Sequence, residues 1–220
     1  CETGLDAHIL IRTYLVSLLL SVGKLQYALR LFNTFIYRIE PSWDIIIAGC
    51  INVGKLQFAL SLYKKMQEDF VCPSVHSYMA LLKACSQLHD VEMGSQIHSE
   101  IARRGFFGSD LVSNTLVDMY VKFGFVDKAQ EVFDNLHVRD VVTWTALIAG
   151  YLEQGHPDEA LNRFQEMQVQ GISPNGVTLM HCLKVCGNTA SIGKGRELHL
   201  EIERSGMVEK DIRVGGGLVD

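Results

Sequence analysis

Apolar residues recur along this chain at the spacing of amphipathic helices, and residues 141–175 show the pattern most clearly. One predicted helix has its apolar face at Leu147, Ile148, Tyr151 and Leu152. A second has apolar positions at Ala160, Leu161, Phe164 and Met167. Gly155 separates the two helices, and Pro157 fits the first turn of the second. Gly171 and Pro174 then end it, so this stretch predicts a helical hairpin.

The hairpin pattern returns along the chain with a long and a short period. A shift of 101 residues superimposes many identical residues, among them Gly23 on Gly124, Trp43 on Trp144, Pro73 on Pro174, Cys85 on Cys186 and His98 on His199. Within this period, the second helices recur at spacings of 31, 35, 35, 31 and 35 residues, counted from Ala28, Ala59, Gly94, Ala129, Ala160 and Gly195. The chain is therefore predicted to be all-α, a solenoid in which each hairpin buries its apolar face against its neighbours.

Composition narrows the class of protein. The 220 residues are 48% hydrophobic, which is enough for a buried core, and no uninterrupted apolar run predicts a membrane span. The formal net charge of −5 gives no general basic surface for nucleic acid. Six cysteines without a paired CxxC spacing favour a reduced, intracellular setting over a zinc site. We expect a soluble helical protein, and because GGGLVD ends within a predicted helix, part of a longer array.

Two families of helical hairpins have units of about this length. The tetratricopeptide element A-x3-F is present at Ala160 with Phe164, but TALIAGY after Trp144 lacks the L-G of that family, and the unit length here varies. The sequence instead resembles the pentatricopeptide repeat (PPR) family of plant organelles over essentially its whole length. DVVTWTALIAGYLEQGHPDEALNRFQEMQVQGISPN resembles its ordinary P unit, LVSNTLVDMYVKFGFVDKAQEVFDNLHVRD its short S unit, and TLMHCLKVCGNTASIGKGRELHLEIERSGM its long L unit.

The S, P, L order accounts for the 101-residue period and resembles the subfamily of RNA-editing factors. It divides the chain into a tail of a preceding repeat at 1–8, S units at 9–39 and 110–140, P units at 40–74 and 141–175, L units at 75–109 and 176–211, and a truncated S unit at 212–220. Either Ser109 or Asp110 closes the first L unit. The resemblance implies a right-handed α–α superhelix of helix-turn-helix repeats.

The resemblance also implies that the array binds single-stranded RNA, with about one base per repeat. In the family, the selecting residues are the fifth and the last of each unit. Asn114 with Asp140 then implies uracil, and Thr145 with Asn175 implies adenine, which together give a U-then-A step in the 5′ to 3′ sense.

Other units depart from the family pattern. Asp44 with Ser74 and Thr13 with Ile39 match no pairing that can be assigned, and the Ile39 side chain cannot form a hydrogen bond. Lys122, the thirteenth residue of its unit, matches a phosphate contact.

The L units place methionine at the fifth position, where a thioether offers shape in place of a hydrogen-bond code. These residues are Met79 and Met180, and Met180 with Asp211 suggests a weak preference for a pyrimidine. Val142 and Val177, at the second position of their units, match residues that sandwich a base between successive repeats in the family.

Each assignment has a plainer structural alternative. Asp140 directly precedes a helix and is a good N-cap in its own right, which is compatible with reading a base. Asn114 costs helix propensity in the middle of a helix, which favours function, whereas Thr145 is open to either interpretation. Trp43 and Trp144 have apolar neighbours and are assigned to the core.

No chemistry beyond binding is predicted. His181, Cys182 and Cys186 are close in sequence, but only Cys186 follows the 101-residue repeat, so we assign the cluster to helix packing and expect no metal. No nucleophile, base and orienting group occur together, so we expect no catalytic residues, cofactor or small-molecule substrate, and no enzyme in this segment.

The leading hypothesis is an RNA-binding segment that recognises the target of a C-to-U editing factor in the mitochondrion or chloroplast. Its partners would be organellar RNA and other editing factors or a deaminase acting in trans, with no membrane. The alternative is a protein-binding helical solenoid. The first helices carry four basic and five acidic residues, so an RNA-facing side built from them is nearly neutral. This predicts modest affinity and a shallow salt dependence.

Overall fold

The computed structural model describes residues 2–106 and 109–188, and every regular element in these ranges is a helix. The helices alternate as first and second members of successive hairpins. They are α1 (Glu2–Ser21), α2 (Leu25–Asn33), α3 (Glu40–Asn52), α4 (Leu56–Glu68), α5 (Val75–Leu88), α6 (Val91–Arg103), α7 (Asp110–Lys122), α8 (Val126–Asp134), α9 (Val141–Glu153), α10 (Pro157–Val169) and α11 (Gly176–Asn188). The predicted all-α class is confirmed for the described part of the chain.

The helices fall into two compact units, one up to Thr115 and one from Leu116. In the N-terminal unit α1 contacts α2 and α3, and α3 contacts α4 and α5. In the C-terminal unit, α9 contacts α10 and α11 in the same way. Within each unit, these first helices therefore pack on their own second helix and on the next first helix, which is the packing of a solenoid.

The two unit lengths seen in the sequence come from the second helices. The second helices α2 and α8 of the S units have 9 residues each, whereas α4, α6 and α10 have 13. The difference is about one helical turn. The S unit is therefore a hairpin whose second helix is one turn shorter.

Two glycines set the distance between successive first helices. A Cβ on Gly49 of α3 would lie 2.5 Å from Leu20 Cδ1 of α1, and a Cβ on Gly150 of α9 would lie 2.8 Å from Val121 Cγ2 of α7. Carbon atoms in contact are normally about 3.5–4.0 Å apart, so a Cβ at either position would force the facing Leu20 or Val121 side chain to shift. The two glycines are 101 residues apart, so the close approach recurs with the sequence period.

The structure differs from the sequence-based division at its first boundary. The sequence predicts a separate tail at 1–8, whereas α1 runs without a break from Glu2 to Ser21. Nothing from Leu5 to Ser21 stops a helix, because this stretch has neither glycine nor proline. The later first helices begin where the predicted units begin, at Glu40, Val75, Asp110, Val141 and Gly176.

The two tryptophans lie in the core, as predicted. Trp43 and Trp144 are fully buried, and each packs edge-to-face on a phenylalanine of the preceding second helix. The ring centroids are 4.8 Å apart for Trp43 with Phe32 and 4.6 Å apart for Trp144 with Phe133. Edge-to-face pairing of this kind adds to the free energy gained from burial. The tryptophans therefore join each first helix to the repeat before it and do not form a platform for bases.

Phe70 holds a backbone conformation that suits glycine. Its φ is 56°, and the residue 101 positions later is Gly171, with a φ of 76°. A side chain in the left-handed region costs about 1–2 kcal/mol. The Phe70 side chain is 94% exposed, so little packing offsets this cost. Phe70→Gly is therefore expected to raise the free energy of unfolding by about 1 kcal/mol in urea denaturation. Phe70→Ala keeps the Cβ and should give no gain, and equal gains in both variants would contradict the account.

Candidate nucleic-acid interface

The last residue of several units caps the first helix of the next unit. Asp140 Oδ1 accepts hydrogen bonds from Thr143 N at 2.8 Å and from Thr143 Oγ1 at 2.6 Å. Ser74 Oγ accepts from Ser77 N at 3.2 Å. The N-cap interpretation of Asp140 is confirmed, and Ser74 makes the N-cap bond to the backbone two units earlier.

Asn175, the last residue of the second P unit, makes the same contacts as Asp140. Its Oδ1 accepts from Thr178 N at 2.9 Å and from Thr178 Oγ1 at 3.0 Å. These bonds fix the side-chain oxygens of the last residues at the start of a helix, where each also satisfies a backbone N–H. Capping and base reading would thus use the same fixed side chain.

The fifth residues of the two P units are bonded to the next repeat. Thr145 Oγ1 lies 2.6 Å from Thr178 Oγ1 and donates to Val141 O of its own helix at 2.6 Å. Asp44 Oδ1 accepts from Ser77 Oγ at 2.5 Å. In both units the partner is the third residue of the following L unit.

The third residue of the next repeat therefore contacts both proposed base-reading side chains of each P unit. Thr178 contacts Thr145 and Asn175, and Ser77 contacts Asp44 and Ser74. Thr178 is fully buried and Ser77 nearly so. The sequence analysis did not single out either residue. A serine or threonine recurring 101 residues apart was the available signal.

The fifth residues of the S units differ in accessibility. Asn114 is half-buried on α7, whereas Thr13 on α1 is buried. The two S units are thus unequal as candidate readers.

The second-position residues are apolar and exposed, as a base-sandwiching role requires. Val142 is 63% exposed and Val177 is 42% exposed. Leu111 occupies the same position in its unit and is 58% exposed, although the sequence analysis did not name it. An aliphatic side chain on a helix surface offers a flat apolar contact to the face of a base.

A cavity of about 280 Å³ opens beside the fifth residue of the second L unit. It is lined by Gly176, Val177, Met180, His181 and Lys184. Burial, together with the nearby Lys184 ammonium, lowers the pKa of His181, so its ring is neutral at pH 7. Met180 therefore lies at a shaped opening whose charged group is the Lys184 ammonium. Met79, at the same position of the first L unit, is half-buried.

Two of the predicted contacts have a different setting. Lys122 Nζ lies 2.7 Å from Asp118 Oδ2, one turn earlier on α7, in an exposed ion pair. A phosphate contact would therefore compete with this carboxylate, at a cost of about 0.5 kcal/mol. Asp211 lies outside the described residues.

The described residues contain no group of three potential metal-ligating side chains, and none of their helices is long and apolar enough to cross a membrane. Cys182 is fully buried beside the half-buried His181. Cys50, Cys72 and Cys85 are free thiols.

The helical hairpins and their spacing define a repeat solenoid. Models of the PPR repeat family match residues 139–188, of the pentatricopeptide repeat domain residues 42–87, and of the PPR repeat residues 76–106 and 112–141. The chain belongs to the pentatricopeptide repeat family.

Curated relatives extend well beyond this sequence. A mitochondrial pentatricopeptide repeat-containing protein of Arabidopsis thaliana is 30% identical over 219 residues, which are 100% of this chain and 21% of the relative. A chloroplastic one from the same plant is 30% identical over 212 residues, which are 96% of this chain and 34% of the relative. The chain thus spans about a fifth to a third of the length of these relatives.

Solved structures show the same fold. The crystal structure of PPR10 from maize superimposes on 88% of this chain and 29% of its own, with a TM-score of 0.65 and 21% identity. PPR10 has also been crystallised in complex with an 18-nt RNA element, with a TM-score of 0.66 and 18% identity over 88% of this chain and 33% of that one. The PPR domain of Arabidopsis thaliana protein-only RNase P 1, in complex with tRNA, gives a TM-score of 0.63 at 17% identity over 74% and 93% of the chains.

Proposed function

We propose that this chain binds single-stranded RNA, one base per repeat, and serves as the target-recognition part of an organellar C-to-U editing factor. The observation that carries the proposal is the recurring arrangement at the P units, where the fifth and the last residue are both hydrogen-bonded to the third residue of the next repeat. A base edge placed there meets polar atoms at fixed positions, and the second P unit also carries an exposed second-position valine, Val142.

The similar proteins support two parts of the proposal, the binding of RNA and the location in an organelle. The maize protein and the RNase P domain are each in complex with RNA, and the relatives include mitochondrial and chloroplastic proteins. The role in editing rests on the S, P, L order of the repeats. Editing factors or a deaminase in trans would then catalyse the reaction, and this segment would only recognise the target site.

A panel of short RNAs tests the binding proposal. Fluorescence anisotropy should show a preference of about tenfold for uracil over the other bases opposite 110–140, because an unpaired base edge costs about 1–3 kcal/mol. Asn114→Ala should remove this preference, whereas Asn162→Ala, on the exposed side of α10, should leave it unchanged. Given the nearly neutral first helices, the affinity should fall only modestly with salt. Equal affinities for all bases would contradict the code assignment.

A protein-binding scaffold is the second candidate, and one observation favours it. The lysine that matches a phosphate contact, Lys122, is already paired with Asp118. If RNA binding is undetectable at low salt while a purified protein partner forms a stable complex, this candidate replaces the first.

A further inference from the structure

We propose that the repeat at 40–74 selects guanine through the Asp44 carboxylate, and that Ser77 of the next repeat positions that carboxylate. The inference rests on the proposed RNA-binding function and deepens it, because Asp44 with Ser74 matches no pairing known from the resemblance.

The Asp44 carboxylate accepts a hydrogen bond from the Ser77 hydroxyl, and the orientation of that hydroxyl is fixed. Asp44 is half-buried on α3, and its Oδ1 accepts from Ser77 Oγ. An ionised carboxylate has only acceptors, so the single hydroxyl proton of Ser77 must point to it. The Ser77 backbone N–H is bonded separately to Ser74 Oγ. Ser77 is 3% exposed, so this geometry is shielded from water.

The remaining hydrogen-bonding capacity of Asp44 and Ser74 defines which base this pair can recognise. Within the described part of the chain, Asp44 Oδ2 makes no hydrogen bond, and the Ser74 hydroxyl accepts one bond without donating any. The pair therefore presents a charged acceptor at the fifth position and a hydroxyl donor at the last position. A base that fits must offer donors to the carboxylate and an acceptor to the hydroxyl.

Guanine is the base whose Watson–Crick edge meets this requirement. Its N1–H and N2–H are adjacent donors that a carboxylate can accept together, and its O6 accepts from a hydroxyl. Adenine and cytosine offer one amino donor beside a ring-nitrogen acceptor, and uracil offers one N–H between two carbonyl oxygens. Each of these three would place an acceptor against the carboxylate, which is unfavourable.

The two P units share the same arrangement of residues and differ in the charge of the fifth residue, which is Asp44 in the first and Thr145 in the second. Thr145, Thr178 and Asn175 lie at the same three positions and are all neutral. The Thr178 hydroxyl contacts Thr145, and the Thr178 N–H is bonded to Asn175 Oδ1, as the Ser77 hydroxyl and N–H are to Asp44 and Ser74. The 40–74 repeat therefore has the same frame with a carboxylate at the reading position, and we expect it to read a different base from the adenine implied for 141–175.

The test is a set of RNAs of the form 5′-XNUA-3′, in which X lies opposite 40–74 and U and A lie opposite 110–140 and 141–175. With the unaltered chain, guanine at X should bind about tenfold tighter than adenine, cytosine or uracil in fluorescence anisotropy. Asp44→Asn should abolish this preference, because the amide adds a donor. Ser77→Ala removes the hydroxyl that positions Asp44, so the ratio of the affinities for guanine and adenine at X should fall several-fold. The N–H of residue 77 keeps its bond to Ser74 in this variant. Ser61→Ala, an exposed hydroxyl on α4, is the matched control and should change nothing.

Three results would overturn the inference. If the chain distinguishes U and A but tolerates any base at X, guanine selection by Asp44 is wrong while the RNA-binding function stands. If Ser77→Ala leaves the guanine-to-adenine ratio unchanged, with a native circular dichroism spectrum, Ser77 is not a positioning residue. If no RNA is bound at all, both the inference and the proposed function fail. The scan of X with the unaltered chain needs no variant and so cannot be confused with misfolding.

Discussion

Replacing Trp144 with alanine is expected to lower the free energy of unfolding by about 3–5 kcal/mol, the range for removing a large buried aromatic side chain. Trp144 is fully buried, and its ring centroid lies 4.6 Å from that of Phe133 at an interplanar angle of 72°. The substitution removes this pair and leaves a cavity between α8 and α9, two helices that contact each other directly. A domain is stable by only about 5–15 kcal/mol, so the loss is a large part of the total.

Urea denaturation followed by far-UV circular dichroism measures this effect. The dichroism signal is preferable to fluorescence because Trp144 is one of only two tryptophans in the chain. Val142→Ala is the matched control on the same helix, because Val142 is exposed and its truncation should change stability by less than about 0.5 kcal/mol. A small loss for Trp144→Ala, together with a specific loss of RNA affinity, would instead identify the tryptophan as a stacking platform.

Much of the fold is predictable because the repeat makes each local pattern appear more than once. The starts of α3, α5, α7, α9 and α11 coincide with the unit boundaries inferred from the sequence. Asp140 is recognisable as an N-cap because an acidic residue precedes an apolar helical run, and that bond is present. The boundary at residues 8 and 9 is the exception, because no residue there stops α1.

The contacts between repeats are less predictable than the repeats themselves. The bonds of Asp44 with Ser77 and of Thr145 with Thr178 join residues 33 positions apart in sequence. Helical periodicity describes one helix at a time and does not say which side chains of successive helices meet. The only sequence signal for the third-position hydroxyls is their recurrence 101 residues apart, which does not say what they contact, and Thr145 could be assigned to structure or to function. In the structure it is buried and bonded, so its hydroxyl is held in place.

A change of base preference is the second large effect that we expect. The double substitution Thr145→Asn with Asn175→Asp gives the second P unit the pair found in the S unit at 110–140, Asn114 with Asp140. The helix should survive the change at position 175, because Asp140 already caps α9 through Thr143 N as Asn175 caps α11 through Thr178 N. The resemblance then implies that the altered repeat reads uracil in place of adenine.

Asn175→Asp alone is the control for charge, since it adds the carboxylate and keeps Thr145. It should not produce a uracil preference by itself if both side chains are needed. Circular dichroism of both variants should match that of the unaltered chain, because the N-cap bond is kept and asparagine costs a helix only about half a kcal/mol relative to alanine.

The most direct test of base reading is therefore the ratio of affinities for RNAs that carry adenine or uracil opposite 141–175, measured by anisotropy for the unaltered chain and the double variant. The account predicts a preference for adenine of about tenfold in the unaltered chain and a preference for uracil of similar size in the variant. A ratio that stays the same in both proteins, with RNA binding intact, would contradict the claim that these residues read the base.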